Sequence, residues 1–494
     1  MAVPQKGVPM QDLRQKTIRS GLAKLMGQGV GAVMRLAFMI LLARLLDPRE
    51  FGLVAMATAI TGLLAMFASA GLSSATVQAR SITPKQVSTL FWVNMLIGVV
   101  FAILCCALAP VLVHFYGEPR LFWVTIFLAP SFLLSAATVQ HLAILQREMR
   151  YATLTVVESA GQLLGLIAGV ALALAGFRYW ALVGAAFAAQ LGTTSGLWAA
   201  TGWLPGRPGR LSAVLPLLRV GGTITLNTLV TYVGYNLEKI LLGRYWGADA
   251  LGNYGRAYQL ISVPIDNLNS AFGGVAFSAL ARLQDDPVRL RHYFIHGYSL
   301  IVSMTVPLTL FLGFFAEQIF LVLFGPKWLE AAAIFRLMTP TVLIFSLINP
   351  FGWLLFATGR QGRSLRTALV IAPIVITACI IGLPYGPRGV AAAYSVAMGL
   401  WFVPHMLWCV RGTPVSARDL LPSIGRPILA CLVAGALGIS VDRYTMADKS
   451  PVVELILGGG LMLSIYAVMI LLVLGQGGFY RDLFRDLRKV SVPS

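Results

Sequence analysis

The chain has 494 residues, of which 57% are hydrophobic and only 12% are charged, with mean hydropathy +0.79. Soluble domains carry about 25% charged residues, so this composition excludes an ordinary soluble protein and points to a chain that crosses a membrane many times. The 38 Lys and Arg exceed the 19 Asp and Glu to give a net charge of +19. These bases sit in loops between apolar runs, where the positive-inside rule accounts for them, and no basic–aromatic module of the kind that holds nucleic acid is present.

Residues 1–20 form a basic tail with Lys6, Arg14, Lys16 and Arg19. The apolar stretch that follows is too long for the core of a cleavable signal peptide. Fourteen spans are then expected, near 21–46, 51–75, 87–113, 120–143, 153–176, 179–203, 213–243, 253–281, 293–324, 330–358, 365–383, 389–410, 425–441 and 453–475. Each approaches the roughly 20 residues that a helical crossing needs. Residues 477–490 place Phe479, Leu483, Leu487 and Val490 on one helical face and bases on another, which suits a helix on an anionic leaflet or a solvated tail. The five cysteines (Cys105, Cys106, Cys379, Cys409, Cys431) lie in or beside apolar runs, have no metal-ligand spacing and read as small hydrophobes.

The first hairpin organises the chain. An apolar run ends at Arg44, Asp47-Pro48-Arg49-Glu50 breaks it, and a second run starts at Phe51. Leu41, Leu42, Arg44 and Gly52 recur at an offset of 200 as Leu241, Leu242, Arg244 and Gly252. Either this is chance in a Leu- and Gly-rich chain, or the protein is built from two related halves, as many transporters are.

Loop charges set the expected orientation. Loops on the side of the N-terminus carry Arg80 and Lys85, Arg147 and Arg150, Arg207 and Arg210, Arg282, Arg289 and Arg291, Arg360 and Arg363, and Arg411 and Arg418. The C-terminal tail adds Arg481, Arg485, Arg488 and Lys489. Opposite loops mostly hold one base with an acid nearby, as in Arg49 with Glu50, Arg120 with Glu118 and Lys327 with Glu330. Both termini are therefore expected in the cytoplasm.

No loop is long enough for a soluble domain, and there is no phosphate-binding GxxxxGK[ST] motif and no HExxH, so neither a built-in ATPase nor a zinc hydrolase is expected, and no cofactor. His292 and His296 are spaced i,i+4 at a helix entry beside Arg289 and Arg291, and read as a hydrated pair rather than metal ligands. The informative polar groups lie inside spans, where an ionisable side chain costs at least about 2.5–3.5 kcal/mol to insert. Lys24, Gln28, Gly31 and Arg35 share one face of the first span. Arg219, Thr223, Asn227, Gly234 and Glu238 share a face of the seventh. Further candidates are Glu158, Arg256, Asp266, Asn267, Asn269 and Arg336. Together they predict a wet, mainly cationic cavity; the alternative is that several of them snorkel to the interface. Gly161, Gly165 and Gly169 form a small-residue ridge expected to bring helices close.

Residues 41–78, LLARLLDPREFGLVAMATAITGLLAMFASAGLSSATVQ, closely resemble the first hairpin of bacterial polysaccharide exporters, the O-antigen and colanic-acid type flippases of the multidrug/oligosaccharidyl-lipid/polysaccharide superfamily. Residues 254–294 resemble the same family's eighth span and following loop; beyond residue 410 only hydropathy is shared. The resemblance implies an all-α integral membrane protein of about 14 transmembrane helices: a bundle over 1–205, a pseudo-symmetric second bundle over 206–412, and two further spans with a basic tail over 413–494. It also implies export of a lipid-linked oligosaccharide, on a polyprenyl diphosphate carrier, across the inner membrane by alternating access. Membrane lipids and other polysaccharide-assembly proteins are the partners it admits. The cavity residues expected to hold the anionic head group are Lys24, Gln28, Arg35, Arg219, Asn227, Arg256 and Arg336, with Glu158 or Asp266 carrying a coupling proton. No family motif transfers these roles to those positions; they rest on charge and depth. A multidrug exporter of the same fold should prefer acidic cavity residues, and a membrane glycosyltransferase should carry carboxylates beside a sizeable outer loop. A scaffold within an assembly complex is the non-transport alternative.

Overall fold

The structure, a computed structural model, describes residues 29–78, 82–210, 214–215, 236–260, 262, 273, 276, 279–445 and 450–473, without the side chains of 66–75, 78, 365, 439 and 441–445. The described elements are helical. Residues 29–45 form α1, followed by α2 (Pro48–Gln78), α3 (Pro84–Tyr116), α4 (Leu121–Leu128), α5 (Pro130–Arg147), α6 (Tyr151–Leu174) and α7 (Trp180–Thr201). Residues 236–260 form α8, interrupted at Gly247. Then come α9 (Pro287–Phe314), α10 (Ala316–Leu323), α11 (Leu329–Ala357), α12 (Gln361–Gly382), α13 (Gly386–Val410), α14 (Ala417–Thr445) and α15 (Pro451–Val468). Eight helical stretches among the described residues are long and apolar enough to cross a bilayer. This is the expected multi-span, all-α membrane fold. The N-terminal tail and the 477–490 segment lie outside the described residues.

Two expected spans are each two helices. The fourth breaks between α4 and α5, where Pro130 has no N–H to continue the ladder and Phe132 N–H turns back to the Ala129 carbonyl. The ninth breaks at Phe315, between α9 and α10. The thirteenth starts earlier than its hydropathy predicts, at Ala417, because Asp419 in its first turn is gripped by Arg291 of α9 at 2.6 and 2.9 Å. An Arg–carboxylate fork lets a charged turn extend an otherwise apolar helix.

The chain divides into two units, Met1–Gly255 and Arg256–Ser494. In the first, α6 and α7 approach backbone to backbone. A side chain at Gly161, Gly165 or Gly169 would overlap Thr193, Ala189 or Ala185 of α7, as the small-residue ridge predicts. Helix α1 runs alongside α6 in the same direction, with Gly31 beside Gln162 at one level and Leu42 beside Gly169 at another. Thr83 and Gln86 close a capping box at the start of α3. The segment after α7 then lies along α3, with Gly206 N–H donating to Ser88, Gly209 N–H to Thr89, and the Trp92 indole to the Gly206 carbonyl.

The 200-residue repeat has a structural counterpart inside this unit. Gly247 (φ 80°) reverses the chain within α8: Leu251 lies against Gly243, residues that a straight helix would hold about 12 Å apart. Burial runs in the same order in both hairpins, buried-buried-exposed-exposed at 42–45 and 242–245, and buried-exposed-intermediate-buried-buried-buried at 48–53 and 248–253. The two hairpins also meet reciprocally. A Cβ on Gly52 would strike the backbone carbonyl of Ala248, and one on Gly252 would strike that of Pro48, the residue equivalent to Ala248. Such a crossing of two backbones requires glycine on both sides.

In the second unit, α11 carries the core. Phe335, Met338, Phe351 and Leu354 are fully buried on it, and Tyr298 of α9 donates to the Leu347 carbonyl at 3.1 Å. Thr341 and Ser395 join α11 to α13 at 2.8 Å, and Glu330 accepts a forked contact from Arg388 of α13. Helices α14 and α15 seat Gly435 and Gly459 against Phe314 and Phe311 of α9, and Tyr466 donates to the Ser303 carbonyl at 2.8 Å.

Candidate functional site

The site is built on α1. Gly31, Met39, Leu42 and Leu46 recur at helical spacing on one face and are all buried. Arg35 stands in the same row and is exposed. Arg35 is thus an accessible charge on a row whose other members Gly31, Met39, Leu42 and Leu46 are buried. Its guanidinium lies toward α6. A Cβ placed on Gly31 would come within 3.5 Å of Arg35 Nη1 and 3.9 Å of both polar atoms of the Gln162 amide. Gly31 therefore lies between Arg35 and Gln162, at ordinary contact distance from both. Gln162 Oε1 is shielded from solvent and has no hydrogen-bond partner. Glu158, exposed, is one turn before Gln162 on the same side of α6.

Of the other expected cavity residues, Lys24, Gln28, Arg219, Asn227 and Asp266 lie outside the described residues. The structure thus brings Arg35 and Glu158 onto neighbouring helices of the first unit. Arg256 and Arg336 belong to the second unit. Arg256 is buried and donates to Gln259 Oε1 at 2.7 Å. Arg336 of α11 is 3.8 Å from Glu317 of α10, with both side chains more than half exposed. A pair so open contributes little and leaves Arg336 able to exchange partners. Glu238, on the expected stripe of the seventh span, is 3% exposed, and its Oε2 has no hydrogen-bond partner.

Sequence reasoning did not single out a second polar group in the first unit. Asn94 of α3 is fully buried with neither amide atom partnered. Gln140 accepts from Thr76 at 3.1 Å, and His141 Nδ1 is 2.7 Å from Thr201 Oγ1, its ring stacked on Trp198 with centroids 4.7 Å apart. A buried amide without a partner costs about 1–3 kcal/mol. Asn94 has no charge and no motif, so only burial reveals it. The rings of His292 and His296 lie tilted with centroids 3.9 Å apart at the exposed start of α9, and no metal-binding cluster forms around them among the described residues.

An accessible guanidinium beside an unpartnered amide has the donors and charge to bind an anion in place of its water. It contains no nucleophile–base pair. A family model described as polysaccharide biosynthesis protein matches residues 41–333. The chain is 27% identical over 401 residues to the lipopolysaccharide biosynthesis protein WzxC of Escherichia coli (strain K12), covering 79% of each chain. It is 26% identical over 435 residues to the succinoglycan biosynthesis transport protein ExoT of Rhizobium meliloti (strain 1021), covering 87% of this chain and 88% of that one. Among solved structures it shares its fold with the lipid II flippase MurJ in an inward closed conformation, with TM-score 0.74 and 16% identity over 94% of this chain and all of that one.

Proposed function

We propose, because this chain belongs to the polysaccharide biosynthesis protein family, that it carries a lipid-linked oligosaccharide across the bacterial inner membrane by alternating access, with both termini in the cytoplasm. The names of its relatives, a lipopolysaccharide biosynthesis protein and a succinoglycan transport protein, support a glycan cargo. The fold shared with a flippase supports movement across the bilayer over covalent chemistry. The observation that carries the reading is Arg35, accessible on a row of α1 that is otherwise buried.

The physical problem is the polyprenyl diphosphate head, which is anionic and cannot enter hydrocarbon without its water. Arg35 replaces that water with charge-assisted donors, and Gln162 supplies further hydrogen-bonding capacity beside it. Lys24, Gln28, Arg219, Asn227, Arg256 and Arg336 extend the cationic path. The prenyl chain stays in lipid while lobes 1–205 and 206–412 rock about the site, residues 413–494 adding the two outer spans. No bond is made or broken. With no ATPase in the chain, the drive comes from a gradient, and Glu158 or Asp266 carries the coupling proton. The alternation of basic and near-neutral loops supports the orientation.

The test is transport of labelled lipid-linked sugar by purified protein in vesicles. Arg35→Ala is expected to abolish transport and surface polysaccharide while the protein remains in the membrane at its normal level, and Arg35→Lys to recover only part of it, because an ammonium lacks the bidentate fork. Wild-type export in Arg35→Ala would end the assignment of Arg35.

A further inference from the structure

Three turns at the end of the first unit remote from the N-terminus of α1 border a half-open pocket of about 500 Å³, lined by Asp47, Arg49, Glu50, Arg120, Arg178 and Tyr179 with Leu53 at its apolar side. Asp47, Arg49 and Glu50 come from the α1–α2 turn, Arg120 from the α3–α4 turn, and Arg178 and Tyr179 from the α6–α7 turn. Asp47 follows Arg35 by twelve residues, about 18 Å of helical rise, so this pocket is separate from the Arg35 face.

Its charges are arranged. Glu118, with its side chain only 18% exposed, accepts from Arg49 at 3.3 Å and lies 3.7 Å from Arg120, so one carboxylate holds two guanidiniums at the pocket wall. Glu50 accepts from the Asp47 N–H at 3.0 Å and shapes the turn that carries Arg49. Arg178 is set differently. Its φ is 49°, a left-handed conformation shared among described non-glycine residues only by Met149. Side-chain-bearing residues rarely adopt it, and observed outliers concentrate at functional sites. Among the described residues Arg178 has neither an ion-pair nor a side-chain hydrogen-bond partner, although it borders a pocket that also holds two carboxylates.

We propose that this pocket binds a sugar residue of the transported glycan on the membrane face opposite the termini, and that Arg178 selects a sugar bearing a carboxylate. The source of the sugar rests on the flippase reading. The chemistry does not. Guanidiniums that donate, carboxylates that accept, and the ring and hydroxyl of Tyr179 match a polyhydroxylated ring, whose hydroxyls need donors and acceptors side by side. A uronate can turn its hydroxyl donors to Asp47 and Glu50 and its carboxylate to Arg178, whereas a bare phosphate lacks that ring of donors and a simple cation would meet three arginines. The turn that lines the pocket also leads into the Gly52–Ala248 crossing, so the site is mechanically tied to the place where the two hairpins touch.

The experiment uses the full chain in nanodiscs with D-glucuronate, D-glucose and inorganic phosphate as probes, read by saturation-transfer NMR. Wild type is expected to transfer saturation to glucuronate, more weakly to glucose, with no displacement by phosphate at equal concentration. Arg178→Gly is the informative variant because glycine accepts φ 49° without strain, so it removes the guanidinium while keeping the turn. It should weaken glucuronate binding about tenfold, the scale of one lost charge-assisted hydrogen bond, and leave glucose nearly unchanged. A thermal midpoint in Arg178→Gly that is unaltered or raised, as relief of the left-handed strain allows, shows that the loss is not misfolding. Three results overturn the proposal: no transfer to either sugar, unchanged glucuronate binding in Arg178→Gly, or displacement by phosphate. Vesicle transport is measured in parallel. Wild-type transport without sugar binding removes the pocket alone, whereas sugar binding without transport removes the flippase reading alone.

Discussion

The turns at 46–50 and 246–250 occupy equivalent places in two hairpins and solve the same problem with different chemistry. Both must reverse the chain and deliver a glycine, Gly52 or Gly252, to a backbone crossing. The first does so with Asp47 and Pro48, stabilised by Glu50 on the Asp47 N–H and by Arg49 on Glu118 of a neighbouring turn. The second uses Gly247 at φ 80°, with Asn253 bonding back to the Asp249 carbonyl at 3.1 Å. What the two share is a steric requirement, which survives because any side chain at the crossing collides with a carbonyl. What differs is the amount of charge: Asp47, Arg49 and Glu50 in the first turn against Asp249 alone in the second, and the more highly charged turn is the one that borders a pocket.

Breaking the shared part should hurt most. Gly52→Leu and Gly252→Leu each force a side chain into a backbone carbonyl. Overpacking costs about 1–3 kcal/mol where side chains can adjust, and the cost should reach or exceed the top of that range here. Both variants should lose export and melt markedly lower in detergent, to a similar extent. A tolerated Gly252→Leu beside a disabled Gly52→Leu would show that the crossing is not reciprocal in function. Gly247→Ala tests the second turn alone. A left-handed alanine costs about 1–2 kcal/mol, so a moderate fall in thermal midpoint with retained export is expected. Glu118→Gln tests the charged turn and should be mildest for stability, under about 1 kcal/mol, because both of its arginine partners are about half exposed. Its effect should appear instead as weaker sugar binding, since Arg49 and Arg120 lose the group that holds them together.

The multi-span helical fold was readable because hydropathy reports what lipid demands of a helix. The breaks at Pro130 and Phe315 were harder: hydropathy is continuous across the first and dips only at Glu317 and Gln318 beside the second, and the hydrogen-bond ladder is what changes. Arg35 stood out in the sequence because a charge within an apolar run is conspicuous. Gln162 and Asn94 did not, since uncharged amides carry no signal until their partners, or lack of them, are known. The acid that takes up Arg49 is Glu118 rather than its sequence neighbour Glu50, whose carboxylate is occupied in capping its own turn.

Residue order alone therefore determined that the chain is helical, that it lies in a membrane, and that Leu41, Leu42, Arg44 and Gly52 return 200 positions later, because composition and periodicity are local properties. Only the folded chain decided that Gly52 and Gly252 meet each other's hairpins, that Arg35 stands over Gly31 beside Gln162, and that three separate turns close around Arg178. Those are contacts between residues far apart in sequence, and a one-dimensional pattern does not contain the distances that create them.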